Sequence, residues 1–518
     1  MGILTKSLFL FRNFYLGLPL IIIKSTNIKT KQIMNLKKPI DVLIAESAES
    51  GEGTLKRTLS STSLVALGIG AIIGAGLFSL TGIAAADHAG PAVTLSFVLA
   101  AVGCAFAGLC YAEFASMIPV AGSAYTYSYA TMGEFMAWVI GWDLVLEYAL
   151  GAATVGVSWS GYFNKLLHEF GLEMPLFLTK SFAEVDGGGI NLPAVVIVSL
   201  LSLMLIRGTK ESASLNNILV IVKVTVVIVF IALGWKFINP ANHTPYIPEN
   251  TGVKGEFGIS GIAAGAALVF FAFIGFDAVS TAAQEAKNPQ KGMPIGILGS
   301  LVVCTILYVL FAHVMTGLVP FSIFKGDASP AATAFKVTGY GWLQMGLIIA
   351  ILAGYTSVIL VMLMGQSRVF YTMSKDGLLP KFFSSIHSKF RTPFKTNIFF
   401  MFFVSIFAGF VPVTDLGHMV SIGTLFAFSL VCIGVMLLRK TDPDRARPFR
   451  TPLVPFVPIM GVIVCVYLMS SLPLEAWIRL AIWMALGVAI YFFYGKGNSV
   501  LRNKGKVVQP VDPPKPEL

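Results

Sequence analysis

Twelve apolar stretches, separated by short polar connections, cover most of the chain. Each is close to the roughly 20 residues that a helix needs to cross the hydrocarbon core of a bilayer. They are residues 62–86, 91–117, 134–160, 193–207, 216–236, 259–283, 294–319, 342–366, 396–412, 417–438, 453–471 and 476–495. The pattern predicts an all-α polytopic membrane protein with twelve transmembrane helices.

Two of these spans contain residues that interrupt the helical pattern. The first span reads "GIGAIIGAGLF" at residues 68–78, and glycine costs a helix interior about 1 kcal/mol relative to alanine. The sixth span reads "LVFFAFIGFD" at residues 268–277, where Gly275 lies two residues before Asp277. Interrupted spans at corresponding places in two halves are typical of transporters with an inverted repeat. Spans 1–5 and 6–10 would then be the two repeats, with spans 11 and 12 outside them.

Such breaks would expose backbone groups at the middle of the membrane. N–H groups at the start of a half-helix suit a carboxylate, and C=O groups at the end of the other half suit an ammonium group. An α-amino acid carries both charges, so it fits this kind of site. The alternative is close helix packing, because Gly70 and Gly74 have the GxxxG spacing.

Charge gives the expected orientation. The chain is 56% hydrophobic and only 12% charged, whereas a soluble protein carries roughly 25% charge. Its net charge of +11 comes from Lys and Arg in short loops and tails, which argues for membrane topology and against nucleic acid binding. Fifteen Lys and Arg residues fall in the loops on one side and six in the loops on the other. We therefore expect a multi-pass protein of the plasma (inner) membrane with both termini cytoplasmic.

The sequence contains no sign of an enzyme. Its five cysteines lie in apolar spans without metal-ligand spacing, its six histidines form no motif, and no CxxC, HExxH, GxSxG or P-loop occurs. We expect no catalytic residue, cofactor or metal. The first 33 residues include "SLFLFRNFYLGLPLIII", which is apolar but short and interrupted, and Met34 is the expected start of the protein.

Six motifs in order carry a resemblance to a known family. They are "GIGAIIGAGLF", "YAEFASMIPVAGSAYTY", "GFDAVSTAAQEAKNPQKGMP", "SRVFYTMSKDGLLP", "SIGTL" and "RPFRTP". From about residue 38 to 495 the chain resembles the amino acid–polyamine–organocation superfamily, and more narrowly the bacterial members of its cationic amino acid transporter branch. One departure is Gln284, since many members carry a second acid before the equivalent of Glu285 at a cytoplasmic gate.

The resemblance implies a LeuT-type 5+5 inverted repeat with helices 1 and 6 broken at the midplane. The expected layout is a cytoplasmic N-terminal segment (1–60), repeat 1 (61–236), repeat 2 (259–438), helices 11 and 12 (452–495) and a cytoplasmic tail (496–518). The resemblance places the substrate amine near the carbonyl groups of Phe271 and Ile274, with Phe271 also covering the site as a gate. It places the substrate carboxylate on the backbone of Ile73, Gly74, Ala75 and Gly76.

Ionisable residues within the spans are candidates for function because they are costly in lipid. Lys223 lies about seven residues, or roughly 10 Å, into the fifth span. In the family a lysine on this helix takes the place of a sodium ion, bridging helix 5 to the unwound part of helix 1, and its loss of a proton would release that bridge. The alternative is a lysine that reaches back to the cytoplasmic interface.

Two acids four residues apart, Asp143 and Glu147, share a face of the third span. We expect Asp143 to be solvated near the cytoplasmic end. The counterpart of Glu147 lies beside the substrate in this branch, although a hydrogen-bonded structural acid is the alternative. Gly151, one turn on, would leave room for substrate, and Glu113 is expected to stabilise a cytoplasmic gate.

The expected function is import of amino acids by a secondary active transporter. By alignment back from Arg368, Met362 falls where cationic members carry a small polar residue, so we expect small neutral L-amino acids such as alanine, with proton coupling and independence of sodium. The expected partners are the substrate, protons and membrane lipid, and the expected state is a monomer. An exchanger and a cationic (arginine/lysine) transporter stay open, as does, from another class, a non-transporting amino acid receptor.

Overall fold

The computed structural model describes residues 36–48, 59–120, 122–207, 210–283, 286–387, 390 and 392–507. These residues form helices, and the β-structure among them consists of two isolated bridges, Leu59 with Ala286 and Ser181 with Gly189. The helices are α1 (Ile40–Ala48), α2 (Ser61–Ile72), α3 (76–89), α4 (Val93–Met117), α5 (Ser123–Thr131), α6 (Glu134–Glu169), α7 (Leu192–Arg207), α8 (Lys210–Gly234), α9 (Gly258–Val269), α10 (Ala278–Thr281), α11 (Pro289–Leu318), α12 (Pro330–Lys336), α13 (Gly341–Lys375), α14 (Phe394–Phe410), α15 (Val413–Thr441), α16 (Phe456–Ser471), α17 (Leu474–Ile490) and α18 (Val500–Val507).

Eight helical runs among the described residues are long and apolar enough to cross a membrane. They are Gly76–Met117, Glu134–Glu169, Ile218–Phe237, Gly258–Ser280, Pro289–Leu318, Gly341–Lys375, Val413–Thr441 and Leu474–Asn503. Four shorter apolar helices accompany them, namely α2, α7, α14 and α16. Each of the twelve predicted spans overlaps one of these helices, and the number of membrane crossings stays a prediction.

Gly90 explains why two predicted spans fall in one long run. It has φ +59°, a backbone conformation that side chains disfavour, and it turns the chain between α3 and α4. The run Gly76–Met117 therefore contains the second half of the first predicted span and the whole of the second.

The helices differ in how much of their surface is buried. Side chains of α6 are buried along most of its length, and α13 packs against it. By contrast, α8 exposes large apolar side chains such as Ile221 and Ile228, as expected for a lipid-facing helix, while Lys223 on its other side is buried. The helix α11 packs against α2 and α4, and α7 packs against α14. This arrangement surrounds α2, α3 and α9 and buries the two interrupted stretches, residues 68–78 and 268–277.

One predicted span ends earlier than the helix that contains it. The eighth span was predicted at 342–366, whereas α13 continues to Lys375, so Arg368 lies on a helix and not in a loop. Residues 1–35 and 49–58 and positions 284–285 lie outside the described residues. The predictions for a start at Met34, for Gln284 and for most of the N-terminal segment fall there.

Candidate functional site

The first break lies between α2 and α3. Helix α2 ends at Ile72, and Ile73 has extended backbone angles (φ −70°, ψ 109°). The next helix begins where the N–H groups of Leu77 and Phe78 donate to the Gly74 carbonyl oxygen, at 3.2 and 3.3 Å. Gly74, Ala75 and Gly76 therefore stand at the start of a helix, where the first N–H groups have no partner inside the helix.

The second break follows α9. A tight helical turn, Phe270–Phe273, leads to Ile274, which is also extended (φ −61°, ψ 136°). Gly275 follows with φ +114°, a conformation that glycine adopts at little cost. Each break thus contains an extended isoleucine followed by a glycine.

The two breaks contact each other through their backbones. A Cβ atom placed on Gly76 would lie 2.2 Å from the Cα atom of Ala272, and one placed on Gly275 would lie 2.9 Å from the Ala71 carbonyl group. Real Cβ atoms do not approach other atoms so closely. The glycines are therefore required for this contact, in addition to any role in unwinding the helix.

Two buried side chains donate hydrogen bonds to the carbonyl groups freed by the breaks. The Lys223 Nζ atom donates to the Gly70 carbonyl oxygen and, at 3.2 Å, to the Ile73 carbonyl oxygen. The Tyr308 hydroxyl lies 3.0 Å from the Ile72 carbonyl oxygen and 2.9 Å from that of Ala272. Lys223 therefore joins α8 to the first break, and its amine does not reach toward the interface.

Tyr308 was missed by the sequence analysis. Its position on α11, in the apolar stretch "TILYVLFA", gives no periodic signal that distinguishes it from a core aromatic residue. The one available signal is the hydroxyl itself, because a buried tyrosine needs a hydrogen-bond partner. In the structure that hydroxyl connects the two breaks.

The apolar candidates for substrate contact lie on α6 and α13. A Cβ atom placed on Gly151 would lie 3.7 Å from the sulfur atom of Met362, so the thioether fills the space beside this glycine. One turn of helix away, Val358 on α13 faces Gly74 of the first break, at 3.3 Å from a Cβ atom placed there. Phe271 and Ile274 are both buried. The structure thus brings the predicted backbone positions and the predicted pocket residues together.

One of the carbonyl groups assigned to the substrate amine already has a partner. The Phe271 carbonyl oxygen accepts a hydrogen bond from the Ile274 N–H group at 3.2 Å. A carbonyl oxygen has a second lone pair, so this bond does not prevent a further interaction.

Three buried acids lie close together beside the second break. The Glu147 carboxyl group lies next to Asp277 and Thr424. Asp277 accepts a hydrogen bond from the Tyr148 hydroxyl at 2.8 Å.

The prediction for Asp143 was wrong. We expected it to be solvated, but it is only 1% exposed, and neither of its oxygens has a hydrogen-bond partner among the described residues. The packing of α15 against this part of α6 explains the burial, since Gly423 lies against the Asp143 carboxyl group.

Glu113 is held by a set of donors at one end of α4. Arg439 donates to both carboxylate oxygens at 2.9 and 2.8 Å, and the Thr451 N–H group donates at 2.8 Å. Arg447 is a further ion-pair partner at 3.3 Å. This geometry fits the structural role expected for Glu113.

The described segments before α2 and after α17 dock on the end of the molecule where Glu113 lies. Arg502 donates to the buried carboxylate of Glu134 at 2.6 Å, and the Glu134 N–H group donates to the Leu36 carbonyl oxygen at 3.0 Å. On α1, Asp41 pairs with Arg445 at 3.1 Å. Hydrogen bonding to Arg445 and its positive charge lower the pKa of Asp41.

Comparisons with known proteins identify the family of this chain. The model of a family described as "Amino acid permease" matches residues 59–498. The chain is 46% identical to the branched-chain amino acid permease BcaP of Bacillus subtilis, over 90% of this chain and 98% of the relative. It is 43% identical to the methylthioribose transporter of the same organism, with the same coverage. It is 30% identical to the vacuolar cationic amino acid transporter 4 of Arabidopsis thaliana, over 88% of this chain and 94% of the relative. These relatives are permeases and transporters and not enzymes, and this chain belongs to the amino acid permease family of the amino acid–polyamine–organocation superfamily.

Proposed function

We propose that the chain is a secondary active transporter that imports neutral amino acids across the plasma membrane. It would have twelve spans in a LeuT-type 5+5 arrangement, residues 61–236 and 259–438 forming the repeats and both termini lying in the cytoplasm. The observation that carries this proposal is the pair of broken helices in backbone contact. Their helix ends offer N–H and C=O groups to a zwitterion without requiring a charged side chain.

The substrate side chain would lie against Gly151 and Met362. Met362 makes this region apolar and fills space that a longer side chain would need. An apolar surface leaves the distal charge of arginine or lysine without a partner, which is costly. These contacts favour small neutral amino acids, such as alanine.

Branched-chain amino acids are a second candidate. Two relatives named as branched-chain amino acid permeases are 46% and 36% identical to this chain over most of its length. Leucine, isoleucine and valine also suit an apolar pocket, and they require more volume than alanine.

Coupling would depend on protons and on Lys223. Its ammonium group lies at the carbonyl end of α2, where the helix dipole is negative, and so stabilises the first break electrostatically. Release of the proton would weaken this contact between α8 and α2 and change the balance between inward-open and outward-open states. Because the ammonium group already supplies a positive charge at this position, transport would not require sodium.

Uptake into proteoliposomes tests the proposal. Radiolabelled alanine, leucine and arginine would each be offered with and without an inward pH gradient, and with sodium replaced by potassium. We expect accumulation of alanine or leucine that depends on the gradient and is the same in both salts. Preferred uptake of arginine would contradict the pocket argument, and a requirement for sodium would contradict the role of Lys223. Exchange without net accumulation would identify an exchanger.

A further inference from the structure

The connection between α13 and α14 exposes two large apolar side chains. It contains the short helical turn Lys381–Ser384, in which Phe382 is 47% exposed, and beyond the turn Ile386 is 50% exposed. The proposed orientation places this connection on the cytoplasmic side of the membrane. Apolar side chains there are exposed to water unless the connection lies at the surface of the bilayer.

The exposed side chains of the connection continue the exposed face of α14. On that helix Phe402 and Ile406 are exposed and lie four residues apart, which places them on one face. The Phe382 ring contacts the Phe383 ring at a centroid distance of 5.3 Å, and Phe383 contacts Phe399 of α14 at the same distance. The connection therefore adjoins the apolar surface that membrane lipid would cover.

Contacts with two helices hold the turn in place. The Thr396 hydroxyl of α14 donates to the Phe383 carbonyl oxygen at 2.7 Å. On the other side, the Phe383 ring packs edge-on against Phe370 of α13 at a centroid distance of 5.3 Å. The exposed surface is thus built on α13 and α14, and α13 also carries Met362 of the proposed pocket.

Two lysines flank the exposed phenylalanine. Lys381 is exposed and precedes Phe382 in the chain, and the Lys395 Nζ atom lies 5.4 Å from the centroid of the Phe382 ring. Neither lysine forms an ion pair with the residues that the structure describes. The apolar surface therefore has positive charge on both sides of Phe382.

Acidic residues of the neighbouring sequence do not neutralise this charge. The sequence contains no Asp or Glu between Asp376 and Asp415. Asp376 pairs with Lys38 at 3.2 Å, and Asp415 pairs with Arg479 at 3.0 Å. The positive charge of the surface is thus available to a partner from outside the described part of the chain.

We propose that this surface, formed by Lys381, Phe382, Ile386 and Lys395, binds an anionic phospholipid of the cytoplasmic leaflet. The lipid phosphate would lie at the two ammonium groups and the acyl chains along α14. Basic residues next to a membrane helix attract anionic headgroups, and aromatic side chains are enriched at the same depth of the bilayer. A soluble acidic protein would match the charge, but it would not cover apolar side chains that continue onto the face of α14.

Native mass spectrometry can count the bound lipid. Purified full-length protein in detergent would be titrated with phosphatidylglycerol, or with phosphatidylcholine that has the same acyl chains. Each basic residue near an anionic lipid strengthens binding about fivefold, so we expect one phosphatidylglycerol molecule to bind roughly 25-fold more tightly than phosphatidylcholine. Equal binding of the two lipids would overturn the proposal, because charge would then have no role.

Variants locate the site. Lys381→Gln and Lys395→Gln should each weaken the binding of phosphatidylglycerol about fivefold, whereas Lys395→Arg keeps the charge and should bind normally. The control is Lys287→Gln, which removes an exposed lysine on the same side of the membrane and should change nothing. An equal loss in Lys287→Gln would show a general attraction to the charge of the protein and would overturn the proposal. So would unchanged binding in both Lys381→Gln and Lys395→Gln.

A soluble phosphate tests whether the acyl chains take part. Glycerol 1-phosphate at the same concentration should not displace phosphatidylglycerol, because it cannot contact Phe382, Ile386 or α14. Displacement would show a site for soluble anions and would refute the lipid as the partner. Thermal unfolding without added lipid should be the same for all variants, which excludes damage to the fold. The inference rests on the proposed membrane orientation alone, so a failure of amino acid transport would leave the lipid count unaffected.

Discussion

Replacing Lys223 by methionine should separate coupling from substrate binding. The aliphatic stem of Lys223 packs against Gly354, and methionine can retain this contact while the amine and its two hydrogen bonds are lost. A hydrogen bond from a charged group contributes about 1.5–3 kcal/mol, so two of them contribute roughly 3–6 kcal/mol. Burying an ammonium group costs several kcal/mol, and its removal recovers that cost. The free energy of unfolding should therefore fall by less than the roughly 3–6 kcal/mol of the two hydrogen bonds.

Loss of the amine in Lys223→Met should instead affect transport of the substrate against its concentration gradient. With one proton carried per substrate, a pH difference of one unit supplies about 1.4 kcal/mol and supports about tenfold accumulation. We expect tenfold accumulation for the unmodified protein and none for Lys223→Met, because the charged amine is the group that we propose responds to the proton gradient. Exchange of labelled for unlabelled substrate without a gradient should persist, since the N–H groups of the first break are unchanged.

The control is Lys236→Met, which removes an exposed lysine beyond the end of α8 and should leave accumulation unchanged. Both variants would be measured in proteoliposomes at matched protein content, with thermal unfolding recorded in parallel. Unaltered tenfold accumulation by Lys223→Met would refute the coupling role. Loss of exchange together with a normal unfolding temperature would show that Lys223 serves binding and not coupling.

Three further changes test the pocket, the contact between the breaks and the docking of α1. Met362→Ser should admit longer or cationic amino acids, measured as inhibition of alanine uptake by arginine, and unchanged selectivity would contradict the pocket argument. Gly76→Val should abolish transport, because a Cβ atom there would lie 2.2 Å from the backbone of the second break, whereas Gly346→Val, with no atom within 4 Å, should be tolerated. The ion pair between Asp41 and Arg445 lowers the pKa of Asp41, so its contribution is present at neutral pH and is lost as the pH falls through that lowered pKa. Hydrogen exchange in α1 should accordingly rise in acid, and the same pH dependence after Arg445→Gln would contradict this assignment.

The sequence predicted the position of both breaks because glycine acts locally. Four glycines in eleven residues weaken a helix wherever it lies, so Gly74 and Gly76 could be assigned without a structure. The extended angles of Ile73 and Ile274 were not predictable, since isoleucine has no local preference for leaving a helix at that point. They follow from the contact between the two breaks, which joins residues about 200 positions apart.

The predictions that failed also concern contacts between residues that are distant in sequence. Asp143 was expected in solvent because its place near a helix end is a local property, but α15 covers it. The partners of Tyr308 and Glu113 are likewise distant in sequence, and a single sequence carries no signal for such pairs. Lys223 could be singled out from the sequence because a lysine deep in an apolar span requires an explanation, whichever partner it finds, and its role in coupling stays a prediction.

Docking of the C-terminal segment has a practical consequence for truncated or tagged forms of the protein. Glu134 is completely buried, and its carboxylate is neutralised by Arg502, with further hydrogen bonds from the hydroxyls of Tyr491 and Ser499. Deleting the chain from residue 499 onward would leave that charge buried without a cation, at a cost of about 3–5 kcal/mol. An affinity tag joined directly after Asn503 would lie against this same contact. Expression and crystallisation would therefore benefit from keeping α18 whole and placing any cleavage site beyond Val507.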